Sequence, residues 1–172
     1  MSGLNVSKGL QQQYKGYYQA DISEWRRLSA VDKATNIERL CRGIPHDPVL
    51  EIGAGEGALL ERLSALGFAT RFQAVEISPS GVEAMRSRNI PGLEDCRLFD
   101  GYTLPQPDGV FNLAILSHVL EHVEHPRRLL NEAGRVASHV FVEVPLEDTI
   151  FLPADYRPGG AGHINFFSQI TI

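Results

Sequence analysis

Residues 49–60 read VLEIGAGEGALL, and this run restricts the fold more than any other part of the chain. Apolar side chains around Glu51 give a short buried strand, Gly53, Gly55 and Gly57 follow within five residues, and a second apolar stretch begins at Ala58. Glycine adopts backbone angles closed to other residues and interrupts both strands and helices, so the strand ends at Ile52 and a helix follows the turn. Bare backbone also lets a ligand come close, with the amide N–H groups at the helix start facing it. A tight strand-to-helix turn with no ligand would use the same residues.

The rest of the chain repeats the alternation. Helical spacing of Val31, Ala34, Ile37, Leu40 and Cys41 predicts a helix over 29–42, closed by Gly43 and Pro45. Further elements follow as a helix from Glu56 to Leu66, a strand at 71–77 and a helix from Pro79 to Arg88. Strands are expected at 96–99, 110–116 and 139–144, with a helix from His125-Pro126 to Val136 before the last. Ser78 before Pro79 is a good helix start, because serine accepts an orphan N–H and proline has none to lose at the first helical position. Continuous apolar strands separated by helices imply an α/β fold, a doubly wound parallel sheet covered on both faces, with ligands bound beyond the carboxyl ends of the strands.

Composition narrows the partners. The chain has 172 residues, 43% hydrophobic and 22% charged, as expected for one ordinary core. Its net charge is -5 and its arginine pairs are scattered, so no nucleic-acid partner is expected. Cys41 and Cys96 lie far apart with no metal or disulfide spacing, no stretch approaches the ~20 apolar residues of a membrane span, and the N-terminus has no signal-peptide core. These features predict a cytoplasmic protein with no membrane association.

Gly53-x-Gly55-x-x-Ala58 also satisfies the looser dinucleotide fingerprint, which leaves a nicotinamide-dependent oxidoreductase open on that motif alone. Glu51 shifts the balance. A carboxylate ending a buried strand is costly unless something pairs with it, and a cationic ammonium would pair well.

On these residues the chain resembles the class I S-adenosylmethionine-dependent methyltransferases, of the small-molecule, type 11/12-like group. Their first motif, an acidic residue followed by alternating glycines, is matched by Glu51, Gly53, Gly55 and Gly57, and the likeness continues in order over roughly 47–147. The resemblance implies a Rossmann-like methyltransferase sheet with S-adenosylmethionine as cofactor. It implies that Glu51, Gly53, Ala54, Gly55 and Gly57 cradle the cofactor's methionine end, and that Glu76 accepts its ribose hydroxyls. Ile77 would lie against the adenine, Asp100 and Gly101 would read its edge, and Ser117 and His118 would stand beside the sulfonium. Several of these have plainer readings: Ile77 as core, Asp100 as a turn former and Ser117 as a helix cap.

His118 and His163 are the candidate proton acceptors for an oxygen or nitrogen nucleophile, with His163 in GHINFFS, which resembles a substrate-side segment of small-molecule methyltransferases. His118, Glu121, His122 and His125 could also suggest a metal, as in the E-x-x-E-H stretch of some quinone-type O-methyltransferases. His118 replaces the first glutamate, helical spacing also puts such residues on a solvated face, and no metal is expected.

Residues 1–28, with Tyr14, Tyr17, Tyr18 and Trp25, are expected to form an N-terminal arm, either a lid over the cofactor or a packed helix; 29–172 would be the methyltransferase domain. Phe166 and Phe167 read as core. The family sheet has seven strands, and the two after the fifth find no sequence here. The expectation is therefore a domain incomplete at its C-terminus, either a homodimer covering the sheet edge or a destabilised fragment. Besides the oxidoreductase, a non-catalytic S-adenosylmethionine-binding module is the competing reading, and the methyl acceptor, expected to be a small molecule, is not legible.

Overall fold

The computed structural model describes residues 6–18, 20–146, 163–165, 167 and 168, without the side chains of 20–23. A short helix α1 (Lys8–Tyr14) precedes a long helix α2 (Ala20–Leu40). Then follow β1 (Val49–Ile52), α3 (Ala58–Ala65), β2 (Phe72–Glu76), α4 (Pro79–Ser87), β3 (Leu93–Leu98), β4 (Phe111–Ser117), a 3₁₀ turn (Leu120–His122), α5 (Pro126–Val136) and β5 (Ala137–Glu143). The five strands form one sheet in the order β3-β2-β1-β4-β5, parallel throughout.

The chain winds outward from β1 through β2 to β3, then crosses to β4 on the other side. The point of reversal therefore lies between the tips of β1 and β4, where such sheets hold ligands. β1 is buried along its whole length because its two faces feed two cores. Val49 joins Leu60, Leu63, Ile37 and Met85 on one side. Leu50 and Ile52 join Val75, Leu116 and Leu129 on the other. This is the doubly wound, Rossmann-like arrangement expected, five parallel strands with helices on both faces.

Element boundaries differ from the expectation in four places. The first long helix starts at Ala20, nine residues before Ser29, since nothing in 20–28 breaks a helix; the boundary drawn after residue 28 falls inside it. The helix after the glycine turn starts at Ala58, because Gly57 is held at φ 81 and caps it in the left-handed region. β3 begins at Leu93, three residues early; as an edge strand it carries Glu94 and Asp95 and lacks the apolar run that would mark it. The polar arm contains α1, whose start is Ser7, its hydroxyl accepting from the Leu10 amide.

β5 stands at the end of the sheet, with Val140 and Val142 exposed. Beyond it, Leu146 makes one parallel bridge to Phe167, which also packs on the second core as expected. Phe166 and the expected final strands lie outside the described residues. Among the described residues no helix is long and apolar enough to cross a membrane.

Candidate active site

The glycine turn is built for close approach. Gly53, Gly55 and Gly57 have φ of 76, 58 and 81, a region that favours glycine. A Cβ on Gly53 would sit 2.6 Å from Val119, and one on Gly57 2.7 Å from Met85. The amides, however, are used inside the turn. Those of Gly53 and Ala54 donate to the Val75 carbonyl, that of Gly57 to Ala54, and that of Gly55 to the Glu76 carboxylate at 2.8 Å. The expectation that these N–H groups face a ligand is not met at those four positions, which offer bare backbone rather than free donors.

Glu51 and Glu76 end adjacent strands and are both buried. Among the described residues Glu51 Oε2 has no hydrogen-bond partner, and burial pushes the carboxyl up to about 8, with Lys33 pulling it down and Glu76 pushing it further up. Burial likewise raises Glu76, against the backbone N–H groups of Ser78, Gly55 and Ile77. Both its oxygens are engaged, since Oε1 accepts from Ser78 at 2.9 Å and Oε2 from Gly55. Lys33 reaches in from α2, its ammonium pushed down by burial despite the attraction of Glu51, Glu143 and Glu121.

The tips of β1 and β4 floor a polar cavity of about 330 Å³ that includes Glu51, Gly53, Ala54, Gly55, Ser117, His118 and His163. A smaller apolar cavity of about 70 Å³ beside it holds Ile77, Phe99, Gly101 and Val6. Tyr14 and Tyr18 border both. Tyr18 packs so tightly that a Cβ on Gly55 would meet its ring at 2.9 Å, and one on Gly81 at 3.0 Å. Arg26 stacks over Tyr17 and Tyr18, 5.0 and 4.7 Å from the ring centres. The aromatic arm therefore lies in the trough itself, where the bare backbone is.

Asp100 makes the turn its plainer reading describes. Its Oδ1 accepts from Tyr102 and Thr103, and its carbonyl accepts from Val6. Val6 also fills the space above Gly101. Ser117 does not cap a helix; its hydroxyl donates 2.7 Å to Glu143 Oε2, whose other oxygen accepts from Asn36.

The histidine cluster is assembled differently from its sequence spacing. The segment 120–122 is a 3₁₀ turn, and Glu121 is fully buried rather than on a solvated face, because Leu120 and Val123 on either side belong to the core. His118, at φ 56, brings Nδ1 within 3.2 Å of Glu121 Oε1. His125 is elsewhere, at the start of α5 with its ring 5.6 Å from Tyr102. His163 arrives instead, its ring centre 4.9 Å from that of His122. Glu121, His122 and His163 offer ligand-type atoms all within 4.8 Å of one another.

Sequence reasoning thus located Glu51, Ser117, His118 and His163 around one cavity and Ile77 and Gly101 around its neighbour. It missed Lys33, Arg26 and Glu143. The helical spacing of Lys33 after Ala30, one turn before Ile37, was the available signal for the first.

A methyltransferase-domain family model matches residues 50–139, which is 90 of the chain's 172 residues. Ajmaline N-methyltransferase of Rauvolfia serpentina is 30% identical over 112 residues, covering 59% of this chain and 38% of that protein. Across the curated relatives it matches, the chain spans 27% to 53% of their length. Among solved structures, the [4+2]-cyclase SpnF superposes with a TM-score of 0.59 at 19% identity, over 79% of this chain and 58% of that one. The N-terminal domain of EvdMO1, solved with S-adenosylhomocysteine bound, gives 0.55 at 23% identity, over 66% and 48%. These two likenesses speak to the fold, which hosts more than one chemistry. The glycine turn, the acidic strand tips and the matched family model together make this chain a member of the methyltransferase-domain family, a class I S-adenosylmethionine-dependent methyltransferase domain on a Rossmann-like sheet.

Proposed function

We propose that this protein binds S-adenosylmethionine across the tips of β1, β2 and β4 and transfers its methyl group to a small-molecule acceptor in the polar cavity. The observation that carries the assignment is the buried Glu51 oxygen with no hydrogen-bond partner among the described residues, beside backbone that no Cβ could share. An unpaired buried carboxylate is costly, and an amino-acid ammonium is the cation that fits there. Glu76 would accept the ribose hydroxyls by sharing oxygens that now take the Ser78 and Gly55 amides. Ile77 and Gly101 would border the adenine, with Asp100 shaping that wall through its turn. Ser117 and His118 would flank the methyl group.

When bound, the cofactor supplies a methyl carbon already activated by a sulfonium. The chain's own residues then have three tasks: hold the acceptor in line, exclude water, and take a proton. Tyr14, Tyr17 and Tyr18 would exclude water as a lid, and Tyr18 must leave Gly55 for the cofactor to enter. His118 or His163 would receive the acceptor's proton as its heteroatom bonds to the carbon, while the sulfur keeps the electrons of the breaking bond. The same reading takes the protein to be cytoplasmic and to pair with a second copy along β5. Elution as a stable, active monomer from size-exclusion chromatography would contradict that last point.

Calorimetric titration with S-adenosylhomocysteine and, separately, NAD tests the assignment. Binding of the former alone is expected, weakened at least tenfold in Glu76→Ala. Binding of NAD alone, or an unchanged affinity in Glu76→Ala, would contradict it.

A further inference from the structure

A buried charge beside the cavity takes no part in the cofactor site described above. Glu121 is fully buried, and neither of its oxygens makes an aligned hydrogen bond among the described residues. Inside ion-pair distance of them stand two imidazoles: His118 Nδ1 at 3.2 Å and His122 Nε2 at 3.9 Å from Oε1. All three line the acceptor cavity, and His118 is the most exposed of them, so its ring is the one best placed to meet an acceptor there.

The backbone is arranged to keep the pair together. His118 is one of only two non-glycine described residues with positive φ, a conformation that costs energy and gathers at functional sites. Its amide is fixed by a 2.8 Å bond to the Glu143 carbonyl. On the other side, Asn165 clamps the turn that carries Glu121, its side chain donating to the carbonyls of Leu120 at 2.7 Å and Val123 at 2.6 Å. The amides of Ile164 and Asn165 donate to the Glu121 carbonyl itself. Two separate segments, the end of β5 and residues 163–165, thus hold the carboxylate and the imidazole in register.

We infer that Glu121 is the positioning residue for His118, holding its Nδ1–H so that the Nε2 lone pair stays open to the acceptor's proton. Burial alone would push the Glu121 carboxyl up, but the His118 and His122 imidazoles bring it below its ordinary range, so the carboxylate form is available for that role. Nε2 lies 4.0 Å from Glu143 Oε2, too far for a hydrogen bond. That oxygen already accepts from Ser117, and its charge would steady the imidazolium once formed. The arrangement follows the logic of a base oriented by a third group, where the carboxylate selects the tautomer. It rests on the methyltransferase reading for its purpose, though not for its geometry.

The test is the imidazole nitrogen spectrum of the full ¹⁵N-labelled chain at pH 8, with His118 assigned through His118→Gln. Wild type should show His118 mainly as the Nδ1–H tautomer. In Glu121→Gln the preference should reverse toward Nε2–H, and in Asn165→Ala, which leaves both partners in place, it should weaken to a mixture. A wild-type His118 that is mainly Nε2–H, or a preference unchanged in Glu121→Gln, would overturn the inference. The wild-type spectrum decides even if neither variant folds. Adding S-adenosylhomocysteine to the same samples reports on the methyltransferase reading by itself: no shift at Gly53 or Gly55 would count against that reading and leave the tautomer result standing.

Discussion

Single residues account for the most specific consequences. Glu51 has a folded-state carboxyl raised to about 8 from an ordinary 4.5. Because the folded state then binds more protons than the unfolded chain between those values, stability should be greatest below about pH 4.5 from this group and fall as pH rises toward 8. Glu51→Gln should remove that slope, so thermal melts at pH 8 should show the variant more stable by about 3 °C or more, with the gap closing at pH 5. If Glu51 pairs with an ammonium, S-adenosylhomocysteine binding at pH 7 should release a proton. Titrations in buffers of different ionisation enthalpy would detect it, and proton uptake would contradict the pairing. Glu51 was legible in the sequence because a carboxylate among Val49, Leu50 and Ile52 has no place in a core without a partner. Glu121 was not: its spacing from His118 and His125 fits a helix face equally well, and the turn that carries it is clamped by Asn165, more than forty residues away.

At the scale of elements, the strand-glycine-helix unit sets both fold and trough. Gly57 caps α3 at φ 81 with no room for a side chain against Met85 and Ile90. Gly57→Ala should therefore cost about 1–3 kcal/mol, read as a lower denaturant midpoint with an unchanged slope. The arm is a separate lever. Tyr18 occupies the groove over Gly55 and Gly81, so Tyr18→Ala should quicken S-adenosylhomocysteine association in stopped flow at least several-fold. An unchanged rate would mean the ring does not gate entry. The apolar strands β1 and β4 and the proline-headed helices α4 and α5 were plain in the sequence, since hydrophobic runs and Ser78-Pro79 are local signals. β3 and α1 were not. The first is polar because it stands at the sheet edge, and the second is held by contacts of Val6 and Leu10 with the distant second core.

For the molecule as a whole, sheet order decides where chemistry can occur. Reversal of winding between β1 and β4 brings Glu51, Ser117 and His118 to one crevice, with the arm above and residues 163–165 at its side. That convergence is a property of topology, invisible to any window of sequence, although the alternation of strand and helix implies it once the sheet is taken as parallel. The measurement that tests the account most directly is a crystal structure of the chain with S-adenosylhomocysteine. It should show the ammonium against Glu51, the ribose hydroxyls on Glu76 and the Tyr18 ring displaced from Gly55. A ligand bound elsewhere, or one whose ammonium and ribose hydroxyls stand away from Glu51 and Glu76, would contradict the central claim.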